Sequence, residues 1–113
     1  MLIEGRIVLG LVEKVKVNGH EVLARIDTGA KKNSISKELV KKFGFGKPIK
    51  KMKIRTSTGK ERRDVLEGEL EIGGRKIKTL FNTANRSHMK YPVLIGREVL
   101  TQGFLIDPNK KQK

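Results

Sequence analysis

The sequence predicts a single mainly-β domain of short strands with one or two short helices. Three observations predict it. Apolar and charged residues alternate along residues 12–17 and 50–55, the period of a half-buried strand. Two-residue turn signals, Asn18-Gly19 and Gly73-Gly74, lie between runs of this kind. The 113 residues are enough for one core and too few for two. The domain is expected over residues 1–108, with 109–113 as a basic C-terminal tail.

Taken in order, residues 6–17 feed the Asn18-Gly19 turn, and residues 20–26 return as a strand that ends at Asp27. Residues 28–34 read as a loop. Ser34 or Ser36 is placed to cap a short helix over residues 37–43, with Leu39, Val40 and Phe43 on its apolar side. Gly44 and Gly46 stop it, and Pro48 starts an extended segment. Residues 50–55 and 61–66 form a second hairpin around the turn composition of residues 56–60. It is strongly basic, with Lys50, Lys51, Lys53, Arg55, Lys60, Arg62 and Arg63. Residues 66–72 continue as strand, and residues 75–84 return after the glycine pair. Residues 82–88 lose periodicity and read as loop. A short apolar strand over residues 91–96 precedes one or two helical turns at 97–101. Residues 104–106 form a last strand, which Asp107-Pro108 ends, and residues 110–113 read as frayed.

The composition narrows the functional classes. There is no cysteine, hence no disulfide framework and no thiolate metal site. No apolar run approaches the roughly 20 residues of a membrane span, and the N-terminus has no signal-like apolar region. A cytoplasmic protein without a membrane partner is the expectation. The net charge of +14 suits either a Lys-rich soluble surface or an acidic partner, peptide or nucleic acid. Only five residues are aromatic, and the basic runs contain none of them. This disfavours a single-strand nucleic-acid groove, where rings stack on bases.

The chemistry centres on one residue. The chain has three Asp: Asp27, Asp64 and Asp107. Asp64 lies in the basic hairpin and reads as a solvated charge, while Asp107 precedes proline and reads as a turn residue. Asp27 alone follows an apolar strand and precedes Thr28-Gly29. Two carboxylates about 3 Å apart cannot both ionise easily, so the pair holds one proton at working pH. One then takes a proton from water while the other gives one to a scissile carbonyl. Gly29 keeps the loop small enough for a second carboxylate to approach, and Thr28 offers a hydroxyl to brace two such loops. One chain supplies one loop, so a dyad requires a homodimer with Asp27 near the two-fold axis.

Asp27-Thr28-Gly29-Ala30 resembles the active-site motif of retropepsins, the one-domain dimeric aspartic proteases. Residues 92–102, with apolar residues running into Gly96-Arg97 and a short helix, resemble the second signature of that family. With Asn85-Arg86 and residues 104–108 added, the chain is similar to the retropepsin-like group that carries an ATP-dependent zinc protease label. The resemblance extends from Arg6 to Pro108. It implies a closed acid-protease β-barrel, one domain per chain, acting as a homodimeric endopeptidase. It implies Asp27 as the catalytic carboxylate with Thr28 and Gly29 as its loop. The turn at Thr56, Ser57, Thr58 and Gly59 falls where retropepsins carry the flap that closes over substrate. Gly96 and Arg97 support the loop from behind. The label's zinc and ATP find no counterpart: neither His-Glu-x-x-His nor a phosphate-binding Gly-rich loop is present, and His20 and His88 are single. No cofactor and no metal are expected.

One departure matters. In the retroviral enzymes the residue two after the motif glycine is acidic and pairs with the arginine; here that place holds Lys31, followed by Lys32. Arg97 needs another partner, either backbone carbonyls or Asp107. With Ala30, Lys31 and Lys32 at its mouth and the basic hairpin above it, the cleft is expected to favour acidic peptides. Members of this group also resemble companions of ligases that add glutamates, which fits. The competing reading is a non-catalytic module of the same fold that uses its basic face for nucleic acid or an acidic protein. Serine hydrolysis is disfavoured because Ser34, Ser36, Ser57 and Ser87 lack a Gly-x-Ser-x-Gly setting.

Overall fold

The structure is a computed structural model that describes residues 2–85 and 90–111. The expected mainly-β fold is present, and its strands close on themselves. Chain order begins with β1 (Leu2–Ile3), β2 (Arg6–Leu9), β3 (Val12–Val17) and β4 (His20–Ile26). It continues with β5 (Asn33–Ser36), α1 (Lys37–Lys42), β6 (Lys50–Thr56), β7 (Gly59–Ile72) and β8 (Arg75–Ala84). It ends with β9 (Val93–Ile95), α2 (Arg97–Leu100) and β10 (Phe104–Ile106). The main sheet runs β3-β4-β9-β5-β8-β7, and β3 pairs again with β7, which closes a six-stranded barrel. β6 hangs from β7 outside the ring. A separate sheet, β1-β2-β10, joins the first strands to the last.

The hairpin that ends at Asp27 forms as its turn chemistry requires. Asn18 and Gly19 both take positive φ, at 51° and 83°, and the strands pair from Val17↔His20 to Val12↔Arg25. Alternation sends Val15, Val17, Ala24 and Ile26 into the core and Lys14, Lys16, Glu21 and Arg25 to solvent. The centre of the barrel is filled by Leu9, Ile35, Leu70, Ile72, Phe81, Val93, Ile95 and Val99, all at 0–1% exposure. Lone His20 has a structural use, stacking on Phe43 with ring centres 4.8 Å apart.

Three segments differ from the sequence reading. Residues 6–17 are two strands, because the chain changes sheets at Gly10. There Gly10 N–H donates to Glu13 Oε2 at 2.6 Å, and a Cβ would lie 2.9 Å from the carbonyl oxygen of Lys110. Residues 33–36, the first two of which were expected in a loop, are a buried strand between β8 and β9, and Ser36 rather than Ser34 caps α1 by accepting from Glu38 N–H at 3.3 Å. The strand expected over residues 75–84 is present as β8, and residues 82–84, which also fell in the aperiodic stretch read as loop, pair with β5. Lys110, read as frayed, bonds through Nζ to Glu13 and to the Val8 carbonyl at 2.9 and 3.1 Å. The expected loop residues Arg86, Ser87 and His88 lie outside the described residues. Among the described residues, no helix is long and apolar enough to cross a membrane.

Asn18 ties the hairpin to two other elements. Its Nδ2 donates to the Phe43 carbonyl at 2.9 Å, and its Oδ1 accepts from Glu69 N–H at 2.9 Å. Asn18→Ala loses both bonds and keeps a positive φ that alanine disfavours, so it is expected to destabilise the fold by about 2–3 kcal/mol. Urea unfolding should show a lowered midpoint with an unchanged slope.

Candidate active site

The site is a loop held between two strands. β4 delivers Asp27 to the open end of the barrel, where its N–H donates to the Ile95 carbonyl at 2.9 Å. The chain then turns, with Ala30 N–H donating to the Asp27 carbonyl at 3.2 Å. The Asp27 carboxylate is half-buried and accepts from Gly29 N–H at 2.9 Å. A Cβ at Gly29 would stand 3.1 Å from that carboxylate oxygen, so the glycine keeps the acid approachable. Thr28 and Gly29 themselves are exposed.

The second signature clasps this loop from behind. At the start of α2, Arg97 and Glu98 donate their N–H groups to the carbonyls of Ala30 and Lys31, at 2.8 and 3.0 Å. These are helix-start donors with no partner inside the helix, and the loop supplies their acceptors. Gly96 must be glycine: a Cβ would fall 2.5 Å from the Lys32 oxygen and 2.8 Å from the Ala30 oxygen. Arg97 settles the question left by Lys31. Its Nη1 donates to the Thr28 carbonyl at 2.9 Å, whereas Asp107 instead accepts from Asn109 N–H.

Sequence reasoning missed the polar layer beneath the loop. Asn33 is fully buried. Its Oδ1 accepts from Gly96 N–H at 3.0 Å, and its Nδ2 donates to Thr79 Oγ1 and the Leu80 carbonyl, at 3.1 and 3.0 Å. Asn82 donates back to the Asn33 carbonyl at 2.8 Å and accepts from Arg63 at 3.2 Å. No buried side-chain nitrogen or oxygen among the described residues lacks a partner. The only signal in the sequence was two asparagines in segments with no periodicity, which also describes a turn.

Beside the loop lies a cleft of about 310 Å³, lined among others by Ala30, Lys31, Lys32, Met52, Ile54 and Arg63. The two lysines differ. Lys32 is paired with Glu98 of α2 at 2.5 Å, while Lys31 is exposed and has no acidic partner among the described residues. Ser57, Thr58 and Gly59 form the exposed tip of the hairpin arm beyond the cleft, and Thr56 pairs with Gly59 across the turn. Met52, Ile54 and Arg63, not the tip, bring the arm to the loop. Among the described residues, no three His, Cys, Asp or Glu side chains gather as a metal site would require.

A closed barrel whose Asp-Thr-Gly loop is clasped by Gly-Arg and a short helix defines a retropepsin-like aspartic protease fold. Residues 45–113 match the RimB-like family, described as "Retropepsin-like aspartic endopeptidase RimB", and the chain belongs to that family. Solved structures agree on the fold. A Legionella pneumophila protein of unknown function superposes with a TM-score of 0.69 at 22% identity, covering 94% of this chain and 96% of its own. EIAV protease in complex with an inhibitor gives 0.69 at 20% identity and 88% coverage of both chains. Simian foamy virus protease gives 0.64 at 20% identity, covering 80% of this chain and 91% of its own. A Shewanella halifaxensis protein named "Probable alpha-L-glutamate ligase" is 26% identical over 79% of this chain, and a Shewanella pealeana protein of the same name is 25% identical over the same share. The chain spans about a quarter of the length of these curated relatives, 25% in each case.

Gly96→Ala forces a methyl group against backbone that the helix-start bonds to the Ala30 and Lys31 carbonyls hold in place. It is expected to destabilise the fold by about 1–3 kcal/mol or more and to loosen the loop. Thermal unfolding should show the loss, and amide exchange at Ala30 and Arg97 should accelerate relative to β7 and β8.

Proposed function

We propose that the chain is an aspartic endopeptidase whose active site is completed by a second copy of itself. One observation carries the reading: each chain offers a single accessible carboxylate on a rigidly clasped loop. Asp27 fills that role, while Asp64 sits 3.9 Å from Lys51 on the arm and Asp107 caps a turn. The dyad therefore needs two chains related by a two-fold axis, with each Thr28 and Gly29 shaping one half. Two facing carboxylates share one proton. One accepts a proton from the attacking water, and the other donates to the carbonyl oxygen as the tetrahedral intermediate forms. The cleft holds an extended peptide, and the arm with its Thr56–Gly59 tip serves as a flap above it. The cytoplasm is the setting we assign it.

Acidic peptides are the preferred substrates on this reading. Lys32 is already matched by Glu98, which leaves Lys31 as the cleft lysine without an acidic partner among the described residues, while Arg63 spends Nε on Glu61 and one Nη1 N–H on Asn82 and has further guanidinium N–H groups for a substrate carboxylate. Arg63 is steadied by Asn82 and by Glu61, and it presents a planar donor suited to a carboxylate. The glutamate-ligase names of the Shewanella relatives fit the same substrate class.

Asp27→Asn should fold normally and lose cleavage of a peptide library. Mixed in equal amounts with wild type at a fixed total chain concentration under exchanging conditions, it should cut activity to about a quarter, half times half, because a mixed dimer is inactive. A fall to one half would mean that each chain works alone. Arg63→Gln should lower kcat/KM for acidic peptides by about ten- to a hundredfold, the worth of a charged hydrogen bond. Neutral peptides should be little affected; an equal loss on both would make Arg63 a packing residue only.

A further inference from the structure

The arm has two faces. Residues 59–64 of β7 pair only with β6, and β8 joins from Val65 onward. Residues directly opposite in such a ribbon share a face, and successive residues alternate. Met52, Ile54 and Arg63 face the cleft. The other face carries the pairs Lys51↔Asp64, Lys53↔Arg62 and Arg55↔Lys60. The first pair is matched in charge, while the next two set cation against cation. Lys53, Arg55, Lys60 and Arg62 are all exposed and have no acidic partner among the described residues.

Like charges directly opposite destabilise a sheet, and elsewhere this chain avoids them. β7 and β8 place Glu69↔Lys78 and Glu71↔Lys76, and β3 and β4 place Lys16↔Glu21, with Lys14 3.2 Å from Glu21. A general surplus of lysine therefore does not account for the arm. Its outer face is built for an anion that arrives from outside.

We infer that this face is a docking surface for the phosphate backbone of duplex nucleic acid. Four cations lie about 6.7 Å apart along each strand and about 5 Å across, on a ribbon of the kind a major groove admits. Contacts of this type go to phosphates and read no sequence. The face lacks the aromatic and apolar anchors that form a protein interface, where lysine is depleted. It also lacks the rings that grip single strands. Docking there leaves the inner face to the peptide, so the peptidase can work while held on nucleic acid.

The test uses the full chain with DNA and RNA duplexes of about two helical turns, followed by fluorescence anisotropy between roughly 50 and 200 mM salt. Four phosphate contacts give a slope of log Kobs against log salt of about −3 to −4, or about a hundredfold loss across that range. The duplex bound more tightly identifies the source. Lys60→Glu with Arg62→Glu rewrites the arm in the matched pattern of β7 and β8. It should weaken binding more than tenfold and flatten the slope by about 2. Its unfolding temperature should hold or rise. Lys41→Glu with Lys42→Glu, on α1, makes the same charge change elsewhere and should keep binding. Three results would overturn the inference: no salt-dependent binding to either duplex, equal loss in both variants, or displacement of the duplex by poly-L-glutamate at equal charge.

Discussion

The approach of Gly96 to the backbone of residues 30–32 fixes everything else at the site. No side chain fits there. The closeness lets the first donors of α2 reach the carbonyls of Ala30 and Lys31, and it lets Asn33 reach Gly96 N–H. Those bonds hold the loop from inside the barrel and leave its outer side, with Asp27, open. A loop on a tight turn would ordinarily be mobile; this one is part of the barrel wall. In the proposed dyad, where an acid meets its partner at about 3 Å, such a support matters, since a small misplacement of a catalytic group is costly.

What could be read from the sequence follows from how local the cause is. The Asn18-Gly19 and Gly73-Gly74 turns are set by residues next to each other, and both appear where the pattern put them. Asp27 and Gly96 were legible because each lies in a short run of unusual order. Asn33 and Asn82 were not, because what makes them strand residues lies up to 63 positions away, at Gly96, Leu80 and each other. Asparagine in an aperiodic stretch reads as turn until its partner is known. The break at Gly10 was hidden for the same reason: the chain changes sheets there under Lys110, a hundred residues on.

Charge was the least legible feature. A net +14 says nothing about place. Lys32, expected at an open mouth, is matched by Glu98, and Arg97, expected to lack its acidic partner, uses the Thr28 carbonyl. Glutamates of β4 and β7 stand against the lysines of β3 and β8. Cations set directly opposite cations are found on the arm, at Lys53↔Arg62 and Arg55↔Lys60.

The clasp also sets an order of events in folding. Thr28 and Arg97, joined by a hydrogen bond, are 69 positions apart, and β9 must insert between β4 and β5 before the loop has a wall behind it. Contacts of such sequence separation form late, since the closure entropy of the intervening chain comes before their reward. Until residues 93–97 are in place, Ile26 and Ile35 lack the strand that covers them. A ribosome-bound chain short of that point has its hairpins but no barrel. The acid is therefore set in its clasp only once the barrel is, so the proposed active site does not exist in a half-made chain.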